Sequence, residues 1–366
     1  MNSIKSLKNE ISKSKLDAIF ISSVPNIIYL TNYSHFSQHE REAYLLITQN
    51  KNYILTDGRY SEAVKNKVKD FELIEISSKN PLIKILKNLK TKHNIKKLGI
   101  EEDNLTISEH KSLTKHYDNT YHYSGIKLLR DIKNQNEIKQ IEKACKLGDK
   151  TFKYILNKIK SGVTEKELAY EIEFFVKKQG ADISFPPIVA FGRNSAIPHH
   201  KPTDEKLKKN SIVLLDFGTK VNNYCSDMTR TVFFGKATNK QKKMYQTVLE
   251  AQKRAIELLN TKYLILNTSK KSIKASEIDK VARDYIISKN YKTIPHSLGH
   301  GIGLEVHESP RLSPKSKDIL KPGMVFTIEP GIYIPDFGGV RIEDVVLLEE
   351  SHTRLLTISS KDSTIL

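Results

Sequence analysis

Short apolar runs separated by charged, helix-forming stretches characterise the first third of the chain. Short apolar runs bounded by turn-forming residues predict strands. The strand candidates are residues 17–22, 43–48, 53–56, 71–76 and 97–101. The polar residues 49–52 predict a hairpin turn, and residues 62–68 and 81–93 predict helices. Because strands alternate with helices, this part of the chain is expected to be an α/β domain.

The pattern changes near residues 128–133, where a long charged and helix-forming stretch, 132–160, begins. We therefore predict two domains, 1–128 and 129–366, which suits a length of 366 residues.

Two further helices are predicted in the second domain, and each precedes a strand-rich segment that carries acids. The first begins at Thr164, which forms a capping box with Glu167, and stops at Gly180. The second begins at Ser276, with Asp279 three residues on. The repeated order of helix and acidic strands hints at an internal duplication.

The composition places the protein among ordinary soluble globular chains, with 38% hydrophobic and 28% charged residues. Its two cysteines, Cys145 and Cys225, form no CxxC pair and fit a reducing cytoplasm better than a disulfide framework. The N-terminal residues contain no apolar stretch of signal-peptide length, and runs such as 212–215 are too short to span a bilayer. We expect a cytoplasmic protein with no membrane partner.

The formal net charge of +18 raises the alternative of nucleic-acid binding. However, the lysines are spread along the whole chain, and no nucleic-acid-binding motif accompanies them. They are better explained as solvated helix faces, so we expect no nucleic-acid partner.

Four acids stand in two apolar segments with central turn signals, 211–234 and 325–348. Asp216 and Asp227 lie almost symmetrically about residues 221–223, and Glu329 and Glu343 lie symmetrically about Asp336. If each segment folds as an antiparallel hairpin, its two carboxylates come close together. Burying like charges costs many kcal/mol unless they are compensated. Four such acids in matching hairpins therefore indicate divalent cations.

A lone acid near a strand end is usually a turn or cap residue. The nearby acids Glu308, Asp336 and Asp344 are assigned on that basis to surface, turn or supporting positions.

Histidines interleaved with glycines mark residues 291–310, which contain His296, His300 and His307. A neutral imidazole can ligate a transition metal or donate to an oxyanion. A phosphate loop at 299–303 is excluded because the GxGxxG spacing is absent, and no HExxH motif exists. His199 and His200 supply another pair.

Together these segments resemble the creatinase-like, pita-bread metallopeptidases, whose members include methionine aminopeptidase, aminopeptidase P and proline dipeptidase. The matching motifs are IPHH at 197–200, LLDFG at 214–218, SDMTRT at 226–231, SLGHGIGLEVHE at 297–308, TIEPGIYIP at 327–335 and GGVRIED at 338–344. The first domain resembles the smaller domain of the proline-directed members through YLTNYS at 29–34 and ILTDGRY at 54–60.

The resemblance implies an α/β N-terminal domain and an α+β pita-bread catalytic domain with pseudo-twofold duplicated halves around a curved antiparallel sheet. It implies two divalent metal ions, with manganese expected and cobalt, zinc or iron also suited to the ligands. The implied metal ligands are Asp216, Asp227, His300, Glu329 and Glu343. The implied catalytic residues are Glu329, His307, His199 and Arg341, and the implied substrate-binding residues are His199, His307, Tyr333 and His296.

The implied activity is hydrolysis of the Xaa-Pro bond at the N-terminus of peptides. Glu329 would help to deprotonate the attacking water, and His307 would stabilise the tetrahedral oxyanion. An Xaa-Pro amide lacks an N–H, so proteases that need that donor fail on it. A homodimer acting on proline-containing peptides is expected.

Two alternatives stay open at this point. One is an Xaa-Pro dipeptidase, for which Arg311 is a candidate partner of the substrate carboxylate. The more remote one is a non-catalytic RNA- or protein-binding module on the same fold.

Overall fold

The computed structural model describes residues 3–37, 39–117, 119–266 and 272–361, without the side chains of 262–266. The chain divides into two compact units, Met1–Arg130 and Asp131–Leu366. Within the described ranges, no helix has both the length and the apolar character that crossing a bilayer requires.

The first unit is a six-stranded mixed sheet in the order β4-β3-β2-β1-β5-β6, within its described residues. Its strands are β1 (Ala18–Ile21), β2 (Ala43–Thr48), β3 (Asn52–Asp57), β4 (Glu72–Ile76), β5 (Lys97–Ile100) and β6 (Asn119–His122). The helices of this part of the chain are α1 (Ser3–Lys13), α2 (Val24–Thr31), α3 (Ser61–Lys67), α4 (Leu82–Lys92), α5 (Ile107–Thr114) and α6 (Gly125–Asp131).

The predicted hairpin joins β2 to β3, with Ile47 opposite Asn52. Both the amide and the hydroxyl of Thr48 donate to the carbonyl of Lys51 and close the turn. The buried residues on one face of β1, β2, β3 and β5, with the apolar stripe of α4, form one core. Because α4 carries leucine and isoleucine at helical spacing, its inner face covers the sheet and its lysines remain outside.

The second unit carries its strands in several small antiparallel sheets. Its helices are α7 (Gln135–Leu156), α8 (Glu165–Lys178), α9 (Asn239–Leu266) and α10 (Ala275–Ser288), with a 3₁₀ turn at Gly192–Ala196. Its strands are β7 (Asp182–Ile183), β8 (Ile188–Phe191), β9 (Ser211–Phe217), β10 (Thr219–Val221), β11 (Tyr224–Cys225), β12 (Met228–Phe234), β13 (Ile273–Lys274), β14 (Gly299–Gly301), β15 (Glu308–Leu312), β16 (Ile319–Leu320), β17 (Val325–Ile328), β18 (Gly331–Ile334), β19 (Gly338–Arg341), β20 (Asp344–Leu348) and β21 (Thr353–Leu355).

The second unit repeats one arrangement in two halves, as the sequence hinted. In the first half, α7 and α8 precede the antiparallel sheet β12-β9-β8, and in the second, α9 and α10 precede the sheet β15-β14-β17-β20-β21. One apolar cluster is centred on β9 and β12, and a second on α9, α10 and β17. Ile212 of β9 and Phe233 of β12 belong to the second cluster, so the supports of the two acidic hairpins share a core.

The helix boundaries follow the predicted signals with one correction. Thr164 caps α8 with the expected box, and Gly180 follows the helix with a φ of 75°. Helix α10 begins at Ala275 rather than Ser276, and Asp279 is no cap. Asp279 is instead buried, and its carboxylate pairs with Arg283 at 2.7 Å and accepts the amide of Leu298.

Candidate metal centre

The first acidic hairpin brings Asp216 and Asp227 to the same face, but not directly opposite each other. Strands β9 and β12 pair in a register that places Thr229 opposite Asp216. Asp227 lies two residues before Thr229 and is therefore a diagonal neighbour of Asp216. The predicted symmetric pairing is wrong by two residues, because the turn is centred between Asn222 and Asn223, both at positive φ.

The second acidic hairpin follows the predicted symmetry. Its register runs from Ile328 opposite Asp344 to Gly331 opposite Arg341, which places Glu329 opposite Glu343. Asp336 lies at the tip with a φ of 60°.

His300 joins the two hairpins from strand β14, which packs between β15 and β17. Its Nε2 lies 3.4 Å from Glu329 Oε1 and 3.7 Å from Asp227 Oδ2. Ligand atoms of Asp227, His300 and Glu343 all lie within 4.8 Å of one another. Residues separated by more than a hundred positions in sequence therefore converge on one small volume.

The glycines that flank His300 serve strand packing rather than approach to a ligand. A Cβ on Gly299 would lie 1.9 Å from the carbonyl oxygen of Thr327, and one on Gly301 would lie 1.9 Å from that of Ser309. Without side chains at both positions, β14 can fit closely between its neighbours, which fixes His300 over the acids.

The tautomer of His300 follows from its hydrogen bond. Nδ1 lies 3.1 Å from the carbonyl oxygen of Gly301, which can only accept, so Nδ1 carries the proton. Nε2 then directs a free lone pair at the acids. Burial lowers the pKa of His300 to about 4, so the ring is neutral at pH 7. A neutral, oriented imidazole is the state in which histidine binds a metal.

The acids of the cluster are under strong mutual repulsion. Burial, with the charge of Glu343 next in importance, raises the pKa of Asp227 and of Glu329 well above the usual range. Burial and the charge of Asp216 raise the pKa of Glu343 to about 8. Arg341, which pairs with Asp216, is the one cation within ion-pair distance of these four carboxylates among the described residues.

Two buried oxygens, Oδ1 of Asp216 and Oδ1 of Asp227, have no hydrogen-bond partner among the described residues. An unpaired buried carboxylate oxygen is costly unless a cation binds it. The donor set of carboxylates and one neutral imidazole, together with these unpaired oxygens, fits divalent metal ions.

A second set of side chains stands beside the cluster. Arg341 Nη1 donates to the Tyr333 hydroxyl at 2.8 Å, and that hydroxyl lies 2.9 Å from His296 Nε2. His296 Nδ1 lies 2.8 Å from the carbonyl oxygen of Ser297, so Nδ1 carries the proton and Nε2 accepts from Tyr333. Burial lowers the pKa of His296 to about 4. Arg341 also donates from Nε to Thr229 Oγ1 at 3.0 Å, and Thr229 donates to Glu343 at 2.6 Å.

The remaining predicted residues, His307 and His199, are exposed at the edge of this set. The ring of His307 lies 4.4 Å from that of His300. Partial burial lowers the pKa of His307, and the nearby charge of His199 contributes to this shift and to that of His296. All ten residues that the resemblance implies as metal ligands, catalytic groups or substrate-binding groups therefore lie around one site.

Three further acids support the site. Asp344 is fully buried beside Glu343 and pairs with Arg230 at 2.6 Å, so of the surface, turn and supporting positions left open for it, it takes the supporting one. Glu308 pairs with buried Lys133 at 3.2 Å and accepts the amide of Glu305, which closes the loop that carries His307. The third is Glu165, which the sequence alone does not distinguish from an ordinary acid in the first turn of α8.

Glu165 organises the loop that carries His199. Its buried carboxylate accepts from the Phe191 amide, Asn194 Nδ2, His200 Nε2 and Thr203. Burial by itself would raise the pKa of Glu165, but hydrogen bonds from Thr203, His200 and Asn194 outweigh it, and the pKa lies below its usual value.

Replacing Glu165 with glutamine is expected to lower the free energy of unfolding by about 3 kcal/mol at pH 7, because buried donors lose a charged acceptor. Since the pKa of Glu165 is depressed in the folded state, its stabilisation is present at neutral pH and is lost as pH falls below the unfolded value. Denaturant unfolding from pH 7 to pH 3 should show the difference between wild type and E165Q shrinking in acid. A difference independent of pH would contradict this assignment.

Comparisons with known proteins agree with the geometry. The model of metallopeptidase family M24 matches residues 139–350, and that of the creatinase/prolidase N-terminal domain matches residues 4–132. The chain is 36% identical to the Xaa-Pro dipeptidase of Pyrococcus furiosus over 98% of each chain.

Solved structures give the same result. An Xaa-Pro dipeptidase from Bacillus anthracis superposes with a TM-score of 0.90 at 36% identity, covering 100% of this chain and 99% of that one. An X-Pro aminopeptidase from Thermotoga maritima gives a TM-score of 0.83 at 32% identity, covering 96% and 98%. The predicted α/β domain followed by a pita-bread domain is confirmed. The chain belongs to the creatinase-like branch of metallopeptidase family M24, enzymes that use divalent metal ions.

Proposed function

We propose that this protein hydrolyses the Xaa-Pro bond of short peptides at a centre of two divalent ions, and that Xaa-Pro dipeptides are its preferred substrates. The metal assignment depends on the cluster of Asp227, His300 and Glu343, on the nearby carboxylates of Glu329 and Asp216, and on buried oxygens that no group of the described residues satisfies. Of the two substrate alternatives, the named relatives favour the dipeptidase, since the relative with the higher TM-score bears that name.

Asp216, Asp227, His300, Glu329 and Glu343 would hold the ions. When bound, such ions act as Lewis acids toward the substrate carbonyl and lower the pKa of water. Glu329 would accept a proton from the attacking water, since its carboxylate lies 3.4 Å from His300 Nε2, beside the cluster. His307 donates to the oxyanion that develops on the carbonyl oxygen.

The side chains around the cluster orient these groups and the substrate. Arg341 holds Asp216 and, through Thr229, also Glu343. Its contact to Tyr333 fixes the hydroxyl toward His296. His199, on the loop that Glu165 orders, contacts the proline side of the substrate.

Arg311 is the group that distinguishes the two substrate classes. It is exposed, stands opposite His300 in the β14–β15 register, and its charge contributes to the lowered pKa of His307. Its Nε donates to Ser297 Oγ at 2.8 Å, and no carboxylate of the described residues lies within ion-pair distance of its guanidinium. An arginine placed beside the centre without an acidic partner suits a free carboxylate of a dipeptide.

Comparing hydrolysis of Ala-Pro with that of Ala-Pro-Ala-Ala tests the proposal directly. We expect the dipeptide to be cleaved with the higher kcat/KM, and Arg311→Met to raise KM for Ala-Pro by at least about tenfold through loss of a charge-assisted hydrogen bond. The matched control is Arg193→Met, at another exposed arginine of the same unit. Preferred cleavage of the tetrapeptide, unaffected by Arg311→Met, would make the protein an Xaa-Pro aminopeptidase instead.

The identity of the metal, the oligomeric state and the cellular compartment are further predictions. Manganese is the expected metal, with cobalt, zinc and iron also suited to carboxylate and imidazole ligands. A homodimer is expected. Both cysteines are free and buried, which suits the cytoplasm.

A further inference from the structure

We propose that the C-terminal strap, residues 356–361, is a positioning element of the metal centre that holds Glu343 in place through Arg230 and Asp344. The inference rests on the proposed metal site. None of the proposed metal ligands lies in the strap, and its effect passes through the buried charged side chains of Arg230 and Asp344.

The strap is tied to the body of the second unit at both ends. The carboxylate of Asp149, on α7, accepts the amides of Ile358 at 3.1 Å and Ser359 at 2.8 Å, and the Ser359 hydroxyl at 2.6 Å. At the far end, the Tyr245 hydroxyl of α9 donates to the carbonyl oxygen of Lys361 at 2.7 Å. The strap is therefore anchored to one helix of each half.

Arg230 connects the strap to Glu343. Its side chain is 1% exposed, and its Nη1 donates to the main-chain oxygen of Glu343 at 2.6 Å. Its Nε and Nη2 donate to the carbonyl oxygen of Ser359 at 3.2 and 2.9 Å. Each N–H group of a buried guanidinium needs a hydrogen-bond acceptor. Without the strap, Arg230 would lose the carbonyl oxygen of Ser359 as an acceptor, and its side chain would no longer be fixed in the orientation that holds Glu343.

Asp344 provides the second connection, since it follows Glu343 directly in the chain. Its fully buried carboxylate accepts hydrogen bonds from Arg230 and Gln252 in the body of the unit. The strap contributes the Lys361 ammonium at 2.8 Å and the Thr357 hydroxyl at 2.8 Å. The Thr357 hydroxyl also accepts the amide of Val345 at 3.1 Å. The strap thus fixes the backbone on the C-terminal side of Glu343.

Loosening the strap is expected to lower the affinity for metal ions more than the stability of the fold. Side chains that orient metal ligands typically contribute a factor of about 10–100 to affinity. Glu343 is also held by Thr229 of the first hairpin, which Arg341 in turn positions, so loosening the strap should misplace the ligand without unfolding the unit.

The test measures Mn²⁺ binding by isothermal titration calorimetry, and thermal unfolding with and without Mn²⁺. Asp149→Ala removes the anchor and Lys361→Met removes the ammonium, and neither change touches a proposed ligand. Each is expected to weaken Mn²⁺ binding by about 10–100-fold and to reduce the metal-induced rise in Tm. Lys361→Arg should restore most of the affinity.

The matched controls are Asp182→Ala and Lys317→Met, at exposed positions of the same unit, which should bind Mn²⁺ as the wild type does. Wild-type protein that binds none of Mn²⁺, Co²⁺, Zn²⁺ and Fe²⁺ would overturn the metal site itself. Wild-type binding with unchanged affinity in both strap variants would overturn only the strap proposal, even if their metal-free Tm were lower. Should Asp149→Ala fail to fold, Lys361→Met and Lys361→Arg decide the question.

Discussion

Replacing Glu329 with glutamine is expected to lower kcat for Xaa-Pro hydrolysis by at least about 10²–10⁴-fold, the usual contribution of a positioned general base. Glu329 lies opposite Glu343 in its hairpin and 3.4 Å from Nε2 of His300. Glutamine keeps the size of the side chain but can neither accept the proton nor supply a charged ligand. Steady-state kinetics with Ala-Pro at saturating Mn²⁺ measures the effect.

The control for this substitution is Glu257→Gln, at an exposed acid of α9 outside the centre. Its kinetics should match those of the wild type. Near-normal turnover by E329Q would rule out the proposed role of Glu329, whatever its metal content.

Removing divalent ions with a chelator is expected to abolish hydrolysis, by about 10³-fold or more, and re-addition of Mn²⁺ is expected to restore it. The ions supply both the polarisation of the carbonyl and the acidification of water. Without them, the buried acids repel one another and Arg341 is the one nearby cation that compensates them among the described residues. Activity assays after dialysis, with metal content followed by elemental analysis, check this expectation.

Re-addition of Co²⁺, Zn²⁺ and Fe²⁺ in parallel ranks the metals against Mn²⁺. The chelator itself is controlled by adding it together with excess Mn²⁺, which should leave activity intact. Full activity in protein shown to be free of metal would contradict the dinuclear assignment.

The elements that local patterning controls were predicted well from the sequence. Strand β2 and its hairpin to β3 follow from a continuous apolar run and a polar turn, and helix α8 follows from its capping box and from Gly180. Such signals lie within a few residues of the element they specify. Where a residue interacts with a distant one, as Asp279 does with Leu298, the local pattern misled the prediction of the helix start.

The candidate site was likewise predicted only in part from the sequence. The sequence supplied the acids, the histidines and the symmetry of the second hairpin, because period-two alternation about a turn determines which residues can face each other. It misjudged the first hairpin, since two asparagines at positive φ shift the turn by a residue. The grouping of the four acids as cation ligands needed only the cost of burying like charges.

Tertiary structure alone decided which groups support the centre. Glu165, Asp344 and Glu308 resemble ordinary surface acids in sequence, yet the side chain of each is buried and has at least one partner 35 or more positions away. The protonated nitrogens of His296 and His300 likewise depend on which carbonyl each ring meets. A sequence pattern records which faces of an element are apolar, whereas the pairing of buried polar groups depends on distances that exist only after the two halves have folded together.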